Sequence, residues 1–126
     1  MSHRASCHSL PPPGFPEAYF SWWRQLEAFR DTHDCVAIDP RGYNLSSRPP
    51  GRHAYRMDRL VGDIAAALRI LSPGGAPVAV AGHDWGGVLA WHVAILHPEL
   101  VSRLTVLCAP HPACFMQNFD WDQFKR

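Results

Sequence analysis

The strongest chemical signal in the chain is Gly82-His83-Asp84-Trp85-Gly86, set between a short apolar run and a helix-like segment. A Gly-x-nucleophile-x-Gly pattern between a strand and a helix is a nucleophile elbow. The bend leaves no room for Cβ atoms beside its central residue, so glycines flank it. It lifts the central side chain above the sheet and seats it at a helix N-terminus, where free N–H groups and the dipole favour negative charge. A carboxylate there stays ionised at neutral pH and can attack. Read more plainly, an Asp at a helix start is only an N-cap.

Asp in place of Ser changes the reaction. A carboxylate attacking an ester or amide gives a mixed anhydride more reactive than the substrate. Attack on a saturated carbon that carries a leaving oxygen or halide gives an ordinary ester. Water must then hydrolyse that ester, with a general base to help. Asp84 therefore points to opening an epoxide or displacing a halide, not to a lipase or peptidase. The oxyanion forms during ester hydrolysis, where two backbone N–H groups could hold it.

Other chemistries find less support. Cys108, His111 and Cys114 are spaced as zinc ligands can be, but no second pair completes a tetrahedral set. The four cysteines show no scaffold rhythm and read as free thiols in a reducing compartment, with cytoplasm as the expected location. With 12 Lys and Arg against 11 Asp and Glu, the chain has no basic excess for a nucleic-acid backbone. It has no signal-peptide core at its start and no apolar run approaching the ~18 residues of a membrane span. At 126 residues and 47 % hydrophobic content, it fits one globular domain rather than a disordered polymer or coiled coil.

The elements that must position Asp84 follow from hydrophobic spacing. Trp22, Leu26 and Phe29 predict a helix within Ala18 to Arg30. Cys35 to Ile38 reads as a buried strand closed by Asp39-Pro40-Arg41-Gly42, and 43–54 as a loop. Leu60, Ile64, Leu68 and Leu71 predict an amphipathic helix over Arg56 to Leu71. Val78 to Ala81 is a second strand, about Val88 to Leu96 a helix, and Leu104 to Leu107 a third strand. Short strands alternating with helices predict an α/β fold, a parallel sheet with helices on both faces. The loops after Ile38, Ala81 and Leu107 then share one edge, where ligands bind.

On these residues the sequence resembles the epoxide hydrolase branch of the α/β-hydrolase superfamily. Gly14-Phe15-Pro16-Glu17 resembles the family's oxyanion loop, and Ser21 to Leu26 the helix after it. Asp39-Pro40-Arg41-Gly42-Tyr43-Asn44-Leu45-Ser46 resembles a further family loop. Gly82 to Gly87 is the elbow, and Pro110-His111-Pro112 follows the next strand. The resemblance implies Asp84 as the alkylating nucleophile and the backbone N–H groups of Phe15 and Trp85 as the oxyanion hole. It implies a small hydrophobic epoxide as substrate and no cofactor. Haloalkane dehalogenases share the Asp-Trp elbow, but many carry Asn where Phe15 stands, so a halide lacks its polar cradle here. Arg41 and Tyr43 read as loop braces, and His83, adjacent to Asp84 on a strand, should face away from its pocket.

The chain also departs from the family. Pro13 precedes Gly14 where the family has His, and 1–13 offer no apolar run for the family's early strands. The resemblance gives 1–13 as an irregular N-terminus, 14–115 as a partial α/β-hydrolase core, and 116–126 as the start of a segment leading to a helical cap. It assigns no general base and no charge-relay acid within the chain. The expectation is thus a truncated hydrolase piece bearing the nucleophile. A non-catalytic remnant or binding protein is the alternative. A missing central strand would leave a gap between the Val36 and Val78 strands, or pair them directly, and promote self-association through exposed sheet.

Overall fold

The computed structural model describes residues 18–118. A 3₁₀ turn, Tyr19–Trp22, runs into α1, Trp23–Phe29. After a long connection and a second 3₁₀ turn, Arg52–Tyr55, come α2 (Met57–Leu71) and β1 (Val78–His83). Next stand α3 (Trp85–Leu96), a third 3₁₀ turn (Pro98–Leu100), β2 (Val101–Leu107) and α4 (Pro112–Asn118).

β1 and β2 pair in parallel, in register from Ala79↔Arg103 to His83↔Leu107, with one irregularity between Val78 and Ala79. Parallel neighbours need a crossover, and α3 supplies it, making a βαβ unit. Both strands consequently end on the same edge, with Asp84 and Cys108 directly beyond them, as the alternation of elements predicts. Burial alternates along β1: Val78, Val80 and Gly82 are buried, while Ala79, Ala81 and His83 are half-buried.

The core gathers Val61, Ile64 and Leu68 of α2, Val78 and Val80 of β1, and Ala90 and Val93 of α3. The buried stripe of α2 is Val61, Ile64, Ala65 and Leu68. It is offset from the expected line, since Leu60 and Leu71 lie half-buried at its margins. Intervals of three, one and three place the four buried residues on one helical face. Asp58 in the first turn and Arg69 in the last complement the helix dipole.

The expected strand Cys35–Ile38 is not formed. His33 and Ala37 are isolated bridge residues, and among the described residues the sheet has two strands. A strand persists when a neighbour takes its backbone hydrogen bonds, and no described strand lies beside this segment. Ile38 still packs against the core, so its hydrophobic character is legible in the sequence while its backbone state is not. Among the described residues no helix is long and apolar enough to cross a membrane.

Candidate active site

Asp84 is the single residue between β1 and α3. Its N–H donates to the Leu107 carbonyl at 3.0 Å, and its own carbonyl accepts from the Val88 N–H at 3.0 Å. One residue must therefore leave a strand and open a helix. It does so at φ 53 and ψ −123, a positive φ that non-glycine residues rarely adopt. Such backbone strain is found at functional sites and is held by surrounding structure. That structure is tight. A Cβ on Gly82 would collide with the Gly86 carbonyl and come within 2.8 Å of the Gly87 Cα. One on Gly87 would lie 2.7 Å from the Ala109 Cβ and 2.9 Å from Val106 Cγ1. Strand and helix approach so closely that only glycine fits at either position.

The carboxylate of Asp84 is half-buried, and its Oδ1 accepts a hydrogen bond from the Trp85 N–H at 2.7 Å. Among the described residues no cation forms an ion pair with it. It opens on a cavity of about 370 Å³, lined also by Trp85, Val88, His92, Cys108 and Phe115. That is within the size range of small-molecule sites. His83 does not line the cavity. The backbone N–H of Phe15, the other expected oxyanion donor, lies outside the described residues.

Two residues of the loop beyond Ile38 differ in what they do. Arg41 grips Asp63 of α2 with both arms, Nε to Oδ2 at 2.5 Å and Nη2 to Oδ1 at 2.6 Å. Its Nη1 donates to the Ala54 carbonyl at 2.9 Å. The Asp63 hydrogen bonds hold its guanidinium above an already high pKa. Arg41 thus braces the loop, as its sequence setting suggests. Tyr43 lies within the field of Asp84: burial first, and then the Asp84 charge, push its phenol pKa upward. Asp39 secures the same loop, accepting from Asn44 Nδ2 at 2.8 Å and from the Tyr19 N–H at 2.7 Å.

His111 sits in the turn after β2. Its Nδ1 accepts from the Ala113 N–H at 3.2 Å, and its ring meets Trp91 edge-on at 4.7 Å. These contacts make it a turn-forming residue. Among the described residues no histidine hydrogen-bonds to Asp84. No group of three His, Cys, Asp or Glu side chains among them could hold a metal ion.

Sequence reasoning does not single out His92 or the place of Cys108 in this cavity. Helical spacing could have found the first, since 84, 88 and 92 fall on one face of α3. Strand register could have found the second, because Cys108 follows Leu107 as Asp84 follows His83.

Comparisons with known proteins agree with this geometry. Residues 10–126 match the family model for the alpha/beta hydrolase fold. The chain is 43 % identical over 113 residues to Epoxide hydrolase 2 of Caenorhabditis elegans, covering 90 % of this chain and 31 % of that protein. With Epoxide hydrolase 4 of Mus musculus it shares 40 % identity over 104 residues, 82 % of this chain and 28 % of that one. The crystal structure of Bacillus megaterium epoxide hydrolase in complex with an inhibitor superposes with a TM-score of 0.84 at 34 % identity, covering 99 % of this chain and 44 % of that one. The chain therefore spans about a third of the length of the curated relatives it matches. A family match along nearly its whole length, joined to a parallel βαβ unit with the strained Asp84 bend at its sheet edge, places this chain in the α/β-hydrolase fold family, with epoxide hydrolases among its relatives.

Proposed function

We propose that this chain is the nucleophile-bearing part of an epoxide hydrolase. The observation that carries the reading is the position of Asp84: strained, capping α3, uncompensated by a cation among the described residues, and open to an apolar cavity. Oδ2 attacks an epoxide carbon, the carbon–oxygen bond of the ring breaks, and its electron pair passes to the ring oxygen, which takes up a proton. Asp84 is then an ester whose carbonyl oxygen is Oδ1. Water adds to the Asp84 Cγ, giving its proton to a base, and negative charge develops on Oδ1. The Trp85 N–H, already 2.7 Å from Oδ1, is aimed at that charge. Phe15 is the proposed second donor. Collapse of the adduct releases the alkyl oxygen, which is protonated to complete a diol, and restores the carboxylate. The base and its acid partner are not assigned within this chain.

The substrate class is a small hydrophobic epoxide, matching the apolar lining of Val88, Pro110 and Phe115. The core is proposed to span 14–115, the location to be cytoplasmic, and the exposed Arg103, Thr105 and Leu107 of β2 to permit self-association.

Intact-mass spectrometry after incubation with a reactive epoxide tests the reading. The expected result is an adduct of epoxide mass on Asp84, absent from Asp84→Asn. A chain that stays unmodified at residue 84 favours the alternative, a non-catalytic hydrolase remnant. Modification by haloalkanes in preference to epoxides would favour a dehalogenase.

A further inference from the structure

The cavity contains a polar side chain that the proposed reaction leaves unused, His92. Asp84 caps α3, and Val88 and His92 follow at intervals of four, so all three line the cavity in one row. The His92 Nδ1 lies 2.8 Å from the Val88 carbonyl oxygen. A carbonyl oxygen can only accept, so Nδ1 carries the proton, and Nε2 of the neutral ring keeps a lone pair. Among the described residues no hydrogen bond occupies Nε2, and it is not a buried atom lacking a partner. Most of the cavity lining is apolar, and its Val88, Pro112 and Phe115 offer no competing side-chain acceptor.

The separation from Asp84 gives this acceptor a meaning. Asp84 and His92 stand eight positions apart along α3, an axial offset of about 12 Å between their backbone positions at ~1.5 Å per residue. We propose that His92 is a specificity-determining residue: its Nε2 accepts a hydrogen bond from a hydroxyl at the far end of an elongated epoxide whose reacting carbon lies at Asp84. The preferred substrate class is then a long-chain epoxide with a distal hydroxyl, not a plain alkyl epoxide. This deepens the reading of Asp84 as nucleophile and rests on it.

Two measurements separate the claims. The rate of ester formation on Asp84, read by intact mass, is compared for an epoxyalkane ending in a hydroxyl and the epoxyalkane with a methyl in its place. The hydroxyl compound should react about 3- to 10-fold faster, as one neutral hydrogen bond allows. In His92→Phe the two compounds should react at equal rates. Independently of chemistry and of that variant's folding, Asp84→Asn carrying ¹⁵N-labelled histidine is titrated with the saturated alcohol of the same length. The His92 Nε2 resonance should move while Nδ1 stays bonded to Val88. Equal rates for the two epoxides in the unsubstituted chain, or an Nε2 resonance that does not move, overturns the proposal. If no ester forms with either epoxide but Nε2 still responds to the alcohol, the nucleophile reading falls and the His92 contact stands.

Discussion

Asp84 and Leu107 are joined by one backbone hydrogen bond, from the Asp84 N–H to the Leu107 carbonyl at 3.0 Å, which closes the β1–β2 ladder at the edge that carries the cavity. Asp84 thus follows His83, the last paired position of β1, and caps the helix that starts at Trp85. That double duty is why residue 84 adopts a positive φ and why its side chain stands clear of the sheet edge. Asn tolerates positive φ and caps helices, so Asp84→Asn should remain within about 0.5 kcal/mol of the parent. Ala does neither, and Asp84→Ala should lose about 1–3 kcal/mol through the missing cap and the left-handed backbone. Urea melts of the two variants make the comparison; equal stabilities would show that the bend is not strained.

The glycines give a paired test. Gly82→Ala drives a methyl against the backbone of Gly86 and Gly87, which cannot rotate away. A loss of about 1–3 kcal/mol or more is expected from overpacking. Gly62 lies on α2, and a methyl added there would meet nothing within 4 Å, so Gly62→Ala should stabilise by about 0.5–1 kcal/mol. Thermal melts of opposite sign are the expected outcome.

Tyr43 reports on the charge of Asp84. Burial and the Asp84 carboxylate both raise its pKa above 10.0. Ionising it is therefore harder in the native than in the unfolded chain. The stability linked to Tyr43 is intact below the unfolded value, about pH 10, and is lost as pH rises through the higher native value. Phenolate absorbance in an alkaline titration should show Tyr43 ionising above the ordinary phenol value. Asp84→Asn should bring it partway down, because burial remains, and Tyr43→Phe should flatten the alkaline loss of stability. An unmoved Tyr43 titration in Asp84→Asn would mean that the two groups do not sense each other.

The Arg41–Asp63 fork should matter more than an exposed pair. Lysine cannot present two parallel donors to a carboxylate. Arg41→Lys should lower Tm further than Arg56→Lys, whose pair with Asp58 stands in solvent with Nε and Oδ1 3.2 Å apart. Asp58 has its pKa lowered, chiefly by the Arg56 hydrogen bond, so its small contribution is present near neutrality and fades as pH falls through the native value. Melts at neutral pH compare the two variants, and melts at acid pH should show the Arg56→Lys effect fade.

How much of this is legible in the sequence depends on how local each cause is. The bend at Asp84 is legible because the constraint at Gly82 is local, set by the backbone of Gly86 and Gly87, whereas the contacts of Gly87 with Val106 and Ala109 come from the fold. The βαβ unit follows from apolar runs separated by one helix. Cys35 to Ile38 has the same composition as a strand, but strand state depends on a hydrogen-bonding neighbour that composition does not reveal. Spacing finds Ile64 and Leu68 of the α2 stripe but takes Leu60 for Val61, because Leu60 outranks Val61 in hydrophobic size, whereas the face buried is the one that meets Val78 and Ala90. Tyr43 reads from its loop only as a brace. Its closeness to Asp84 depends on a loop that Arg41, Asp39 and Ser46 fold back, the last through a bond to the Asp39 carbonyl at 2.7 Å.

The close approach at Gly82 and Gly87 also separates what can vary at this site from what cannot. Any side chain at those two positions wedges the layers apart, so sequence drift there is closed. The residue perched between them can be exchanged with no movement of the mount beneath it. Acid, alcohol or thiol could each occupy that perch, and new reactivity would arise by substituting the tip rather than by rebuilding the support.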